Sequence, residues 1–150
     1  MTEHRAAVAR DVAASPQKIF ALVCDPRGHV AIDASGMLQS ADGAPVSAVG
    51  DTFVVHMDRE ALNDRPIGKY DATVVVTAFD RDRLIEWTPS VEHGYCFGYA
   101  LEPIDGGTRV TSYCDWSERA AQGRRHDGFP LISVATLRAG LGILARTVEG

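Results

Sequence analysis

His29 and Asp33 stand four residues apart, so on one turn of helix both would project to the same side, within reach for a proton to pass between imidazole and carboxylate. The plainer alternative is an ion pair or a cap at a helix end, and it is the preferred reading. Glu86 and Asp115 are the acids set inside strand-like segments. Either could serve as a general acid near neutrality only if an apolar surrounding raised its pKa. An outward-facing carboxylate is the simpler reading of both, as a solvated face is for the lone strand histidine His56. The candidate acid–base groups are therefore His29, Asp33, Glu86 and Asp115. The five histidines are scattered, with no H-x-H, H-E-x-x-H or cysteine pair, so no metal site is expected. Neither a Gly-rich phosphate loop nor a Gly-x-Ser-x-Gly elbow occurs, and nothing calls for a cofactor.

These groups need elements to hold them. The stretch Phe129 to Val148 reads as one long amphipathic helix, because Val134, Leu137, Leu141, Leu144 and Val148 recur at spacings of three and four. Gly140 and Gly142 each cost that helix roughly 1 kcal/mol relative to Ala, which suggests close backbone approach or space left beside it. Ahead of it lies a run of strand-like segments. Val8 and Val12 frame a first strand, Ser15-Pro16 caps a helix that ends at Asp25-Pro26, and a second short turn is expected from Arg27 to Ile32. Strands are then expected from Gly50 to Met57, Tyr70 to Phe79, Arg83 to Thr88, Tyr95 to Leu101 and Thr108 to Trp116. Short extended pieces precede them, and a polar loop spans Asp58 to Lys69. Ser117 to Gly128 reads as a polar connection.

Strand followed by helices, about six strands and a long helix is an α+β order, with helices segregated to one face of an antiparallel sheet. At 150 residues the chain is expected to form one domain, residues 1–150, burying about two thirds of its unfolded surface. Apolar content of 45% and charged content of 23% indicate neither disorder nor a fibrous repeat. A net charge of −5, with one small basic pair at Arg124-Arg125, argues against nucleic acid. No secretory leader or membrane span is read, and three cysteines with no paired spacing suggest free thiols in the cytoplasm.

Alternation assigns faces. Phe53, Val55 and Met57 share one side of their strand and Val54 and His56 the other; Phe97, Tyr99 and Leu101 share a side, as do Ser112, Cys114 and Trp116. Trp87 lies in a strand apolar on both faces, and ligand stacking and packing both suit it. Val54, Val74 and Val76 are candidates for an apolar outer patch.

Several segments in this order carry a resemblance: Ala14-Ser15-Pro16 with Ile19-Phe20, Asp25-Pro26, Val49-Gly50-Asp51-Thr52-Phe53, Phe79-Asp80 with Arg83-Leu84-Ile85-Glu86-Trp87, Gly107-Thr108-Arg109-Val110-Thr111, and the closing Leu141 to Gly150. The chain resembles the START-like, Bet v 1-like superfamily (SRPBCC). Within it, the chain is most similar to bacterial members of the polyketide cyclase/dehydrase type, with an actinobacterial flavour in His29 to Gly36 and Asp115-Trp116-Ser117. That resemblance implies a helix-grip fold, a curved antiparallel sheet wrapped around the C-terminal helix with a hydrophobic cavity between them. It implies binding of a small hydrophobic molecule, lipid-like or aromatic polyketide-like, for transport or sequestration. A cyclase or dehydratase is the alternative, and a ligand-free protein-interaction module a third reading. The expected ligand contacts are Phe53, Val55, Met57, Trp87, Phe97, Tyr99, Cys114, Trp116, Leu137, Gly140, Leu141 and Leu144; a monomer or homodimer is expected.

Overall fold

The computed structural model describes residues 4–62, 67–89, 91–125 and 128–149. After β1 (Arg5–Val12), Ser15 Oγ accepts the Lys18 amide and Pro16 opens α1 (Pro16–Cys24). That cap satisfies an amide with no helical partner, and proline at the first position gives up none that was needed. Asp25 then serves two helices. Its backbone N–H donates to Leu22 O at the end of α1, and its carboxylate accepts the Arg27 amide at the start of α2 (Pro26–Ala31). Pro26, expected only as a stop signal, is thus also the first residue of the next helix.

The remaining strands are β2 (Leu38–Asp42), β3 (Thr52–Asp58), β4 (Lys69–Asp80), β5 (Leu84–Thr88), β6 (Cys96–Ile104) and β7 (Gly107–Asp115). With β1 they form one antiparallel sheet in the order β1-β7-β6-β5-β4-β3-β2. A short α3 (Ser117–Ala121) follows, and α4 (Val134–Glu149) crosses the concave face. This is the expected α+β helix-grip arrangement. Ile19, Phe20 and Val23 of α1 join Val12, Ile85 and Val110 of the sheet and Leu141, Leu144 and Val148 of α4 in one core.

Three details depart from the expectation. The final helix starts at Val134 instead of Phe129: Ser133 Oγ accepts the Thr136 amide at 3.1 Å, and Ser133 O accepts that of Leu137. Pro130 disfavours helical dihedrals at Phe129, whose ring packs on Tyr95 and Trp116 instead. Val74 and Val76 are buried, 2% and 1% exposed, and so form no outer patch. The cause is a register shift between Val76 and Ala78, where β4 pairs with β5, which reverses the in–out phase of the strand. Trp116 lies beyond the end of β7, at the entry to α3.

On the outer face, Tyr113 lies across its cross-strand partner Gly98 and donates its hydroxyl to Glu86 Oε2 at 2.6 Å. Thr77 donates to Glu86 Oε1, and the Arg5 guanidinium sits 4.1 Å from the Tyr113 ring centre. A Cβ at position 98 would collide with the Tyr113 ring. Gly98→Ala is therefore expected to displace the ring and cost about 1–3 kcal/mol in urea unfolding; an unchanged unfolding midpoint would show that the ring is not held against Gly98.

Candidate functional site

α4 rests on β1 and β7, and where its first turns pass over the other strands a cavity of about 560 Å³ remains. Period-two alternation turns Phe53, Val55 and Met57 of β3 and Ala72 and Val74 of β4 into this space. Trp87 of β5 and Phe97 and Tyr99 of β6 form the next part of the wall. The indole plane lies 28° from Phe97 and 31° from Tyr99, with centres 6.3 and 5.6 Å away, so the three rings form one aromatic cluster in the wall. Leu137 and Gly140 of α4 close the opposite side.

Polar groups interrupt this lining, among them His29, Asp33, Arg59, Asp71, Tyr99 and Ser112. His29, 7% exposed, has Nε2 2.6 Å from Val23 O and is set edge-on against Phe53 and Trp87. Burial pushes its pKa down to about 4, outweighing the Val23 carbonyl and the charge of Asp25. Asp33 lies past the end of α2, so the four-residue spacing does not fall on a helix. Its Oδ1 accepts the amide and hydroxyl of Ser35, and its Oδ2 accepts the Leu38 amide, which ties the loop into β2. His29 and Asp33 line one cavity without a hydrogen bond between them, a correction to the proton-transfer pair. Tyr99 is held protonated, its pKa pushed up to about 12 by burial and by the charge of Asp33, against a hydrogen bond with Ser112.

The other candidates lie elsewhere. Glu86 and Asp115 occupy the outer face, Asp115 bound to Arg5 at 2.8 Å and to Ser117. Burial raises the Asp115 carboxyl, but the Ser117 and Arg5 hydrogen bonds together hold it below the usual carboxylate range. His56 bridges Asp42 and Asp71 at 2.7 and 2.8 Å, and both raise its pKa. Cys114, Trp116, Leu141 and Leu144 are buried away from the cavity: Trp116 stacks on Phe129, and the leucines belong to the core. Gly142 faces Arg10, so only Gly140 borders the space. Sequence reasoning missed Met37, Arg59, Tyr70, Tyr95, Leu131 and Ile132 in the lining. Tyr70 follows from the same alternation as Ala72 and Val74; Leu131 and Ile132 were hidden by counting them as helix. Among the described residues no group of three or more His, Cys, Asp or Glu could hold a metal ion, and no helix is long and apolar enough to cross a membrane.

No family model matches the chain. An uncharacterised Mycobacterium tuberculosis protein, Rv0088, is 32% identical over 113 residues, which are 74% of this chain and 47% of that protein. The chain thus spans less than half the length of this curated relative. Among solved structures, the KanY protein has a TM-score of 0.70 at 15% identity with both chains fully covered. A Chromobacterium violaceum protein has 0.69 at 14%, covering 97% of this chain and 98% of its own. An AHSA1-like protein from Aeromonas hydrophila has 0.62 at 18%, covering 97% and 92%. The chain has a START-like, AHSA1-like fold.

Two histidines of opposite shift give a pH prediction. Folded His29 takes up its proton only near pH 4, whereas an unfolded imidazole does so near 6.5. The unfolded state then holds more protons across that window, so stability should fall by about 3 kcal/mol as pH drops from 6.5 to 4. His56 acts oppositely: its stabilisation is present below pH 6.5 and is lost as pH rises through its raised folded value. Urea titrations of the natural chain and His29→Gln should show the acid limb flattened in the variant. A His29 ring titrating near 6.5 by NMR would contradict the assignment.

Proposed function

We propose that this protein binds a small, mainly hydrophobic molecule, lipid-like or aromatic polyketide-like, between the concave sheet and the first turns of α4. The observation that carries this reading is the cavity of about 560 Å³ walled by Phe53, Val55, Trp87, Phe97 and Leu137, a size and lining suited to a small organic ligand. The AHSA1-like fold supports it as a fold built to hold such a space. Binding draws on apolar burial, roughly 25 cal/mol per Å² removed from water, with His29, Tyr99 and Ser112 available to orient the ligand. Its use is carriage or sequestration, and the placement of the chain with bacterial SRPBCC proteins of the polyketide cyclase/dehydrase type, actinobacterial in flavour and acting in the cytoplasm, belongs to the same proposal.

Catalysis of a cyclisation or dehydration is the lesser reading. A His29 of pKa about 4 is a weak base at neutral pH, and Asp33 spends its oxygens on the loop. A protein-interaction role loses its expected patch, since Val74 and Val76 are buried.

Native mass spectrometry of protein purified from its host, compared with the denatured chain, should reveal a reproducible extra mass. A Cβ at Gly140 would lie 3.6 Å from Ile32 O, an ordinary contact, so Gly140→Ala should keep binding and gain up to about 1 kcal/mol of helix stability. Gly140→Leu should fill the space and weaken binding of the dye 1-anilinonaphthalene-8-sulfonate at least tenfold. Undiminished dye binding in the Leu variant would place the ligand elsewhere.

A further inference from the structure

His29 is the cavity group whose hydrogen-bonding chemistry is decided by its partner. Val23 O can only accept, so Nε2 carries the imidazole hydrogen and Nδ1 keeps a bare lone pair. Nδ1 has no hydrogen-bond partner among the described residues, yet no buried side-chain nitrogen or oxygen among them is left without one. Nδ1 is therefore not sealed within protein, and it opens on the cavity that His29 lines. The ring is held in this sense by the Val23 bond and by its edge contacts with Phe53 and Trp87.

Asp33, in the same lining, also only accepts, and its charge acts on Tyr99. A ligand carboxylate or ketone beside His29 would set its lone pairs against that of Nδ1 and the charge of Asp33, and the one guanidinium of the lining among the described residues, Arg59, is opposed there by two carboxylates, Asp33 and Asp71. A protonated amine would have to give up its hydration beside Phe53 and Trp87, for a carboxylate already accepting three hydrogen bonds. A neutral hydroxyl has the hydrogen that Nδ1 lacks and carries no such cost. The wall beside it is aromatic, with the Phe97 and Tyr99 planes 28° and 31° from the Trp87 indole, and it offers a flat ring system partners to pack against.

We propose that His29 Nδ1 is the acceptor for a hydroxyl group on a flat aromatic ligand stacked against Trp87, Phe97 and Tyr99, so that the cavity selects phenol-type molecules over their methyl ethers and over aromatic carboxylic acids. This inference rests on the reading of the cavity as a ligand site.

The test uses naphthalene, 2-naphthol, 2-methoxynaphthalene and 2-naphthoic acid as probes in calorimetric titration. The natural chain should bind 2-naphthol about tenfold more tightly than the methyl ether or the acid. His29→Phe keeps a ring but no acceptor, and it should bring naphthol and the ether within about twofold of each other. Because that variant also loses the Val23 bond, a second readout needs no substitution: the ¹⁵N resonance of His29 Nδ1 should move upfield on saturation with 2-naphthol and stay in place with the ether. If naphthalene and the ether bind but naphthol has no advantage and Nδ1 does not shift, the hydroxyl assignment fails and the cavity reading stands. A naphthol preference that survives in His29→Phe, or tightest binding of the acid, also overturns the assignment. If none of the four probes binds, the reading of the cavity falls with it.

Discussion

The structure depends on how α4 is held: one end of the helix is embedded and the other stands off the sheet. Leu141, Leu144, Ala145 and Val148 are almost wholly buried, whereas Val134 is 39% exposed and Leu137 only partly covered. The embedded half packs with α1, β1 and β7 and supplies the core. Burial of apolar surface there fixes the helix in place, which leaves the first turns free to bridge a space they do not fill. Gly140 sits where the helix passes from one condition to the other, and its missing side chain keeps that space open.

The sheet keeps two kinds of chemistry apart on its two faces. Inside, aromatic and aliphatic side chains surround a neutral histidine and a protonated tyrosine. Outside lie the charged contacts: Arg5 with Asp115, Arg109 with Asp11, and His56 between two aspartates. Glu86 belongs to this outer set, where Tyr113 and Thr77 supply its donors. Exposed pairs of this kind add little stability. Asp33 and Asp71 are the acids in the cavity lining: Asp71 is held by His56, and the hydrogen bonds of Asp33 to Ser35 and Leu38 make it a fixed part of the loop there.

Much of this was legible in the sequence because periodicity is a local property. The spacing of Leu137, Leu141, Leu144 and Val148 revealed the buried helix face, and alternation placed Phe53, Val55, Met57, Phe97 and Tyr99 on the concave side. What periodicity could not supply was phase across an irregularity. Counted by twos from Phe79, Val76 and Val74 fall outside; the extra residue at the β4–β5 register shift returns both to the inner face. Cys114 shares a strand face with Ser112, yet Ser112 reaches the cavity while Cys114 is covered by the chain around Leu131. That covering segment was itself read as helix, and its departure depends on Pro130 and the Ser133 cap acting together. The His29–Asp33 pair failed for a similar reason, since α2 stops at Ala31 and the loop claims the carboxylate.

The central claim is that small apolar molecules enter between the sheet and the first half of α4. The most direct measurement is a map of amide and aromatic chemical-shift changes as naphthalene is titrated into the isotopically labelled full chain. The account predicts saturable shifts clustered at Phe53, Trp87, Tyr99, Leu137 and Gly140, with the outer-face residues Glu86, Cys96 and Glu118 unmoved. Shifts confined to that outer face, or none at saturating probe, would contradict it.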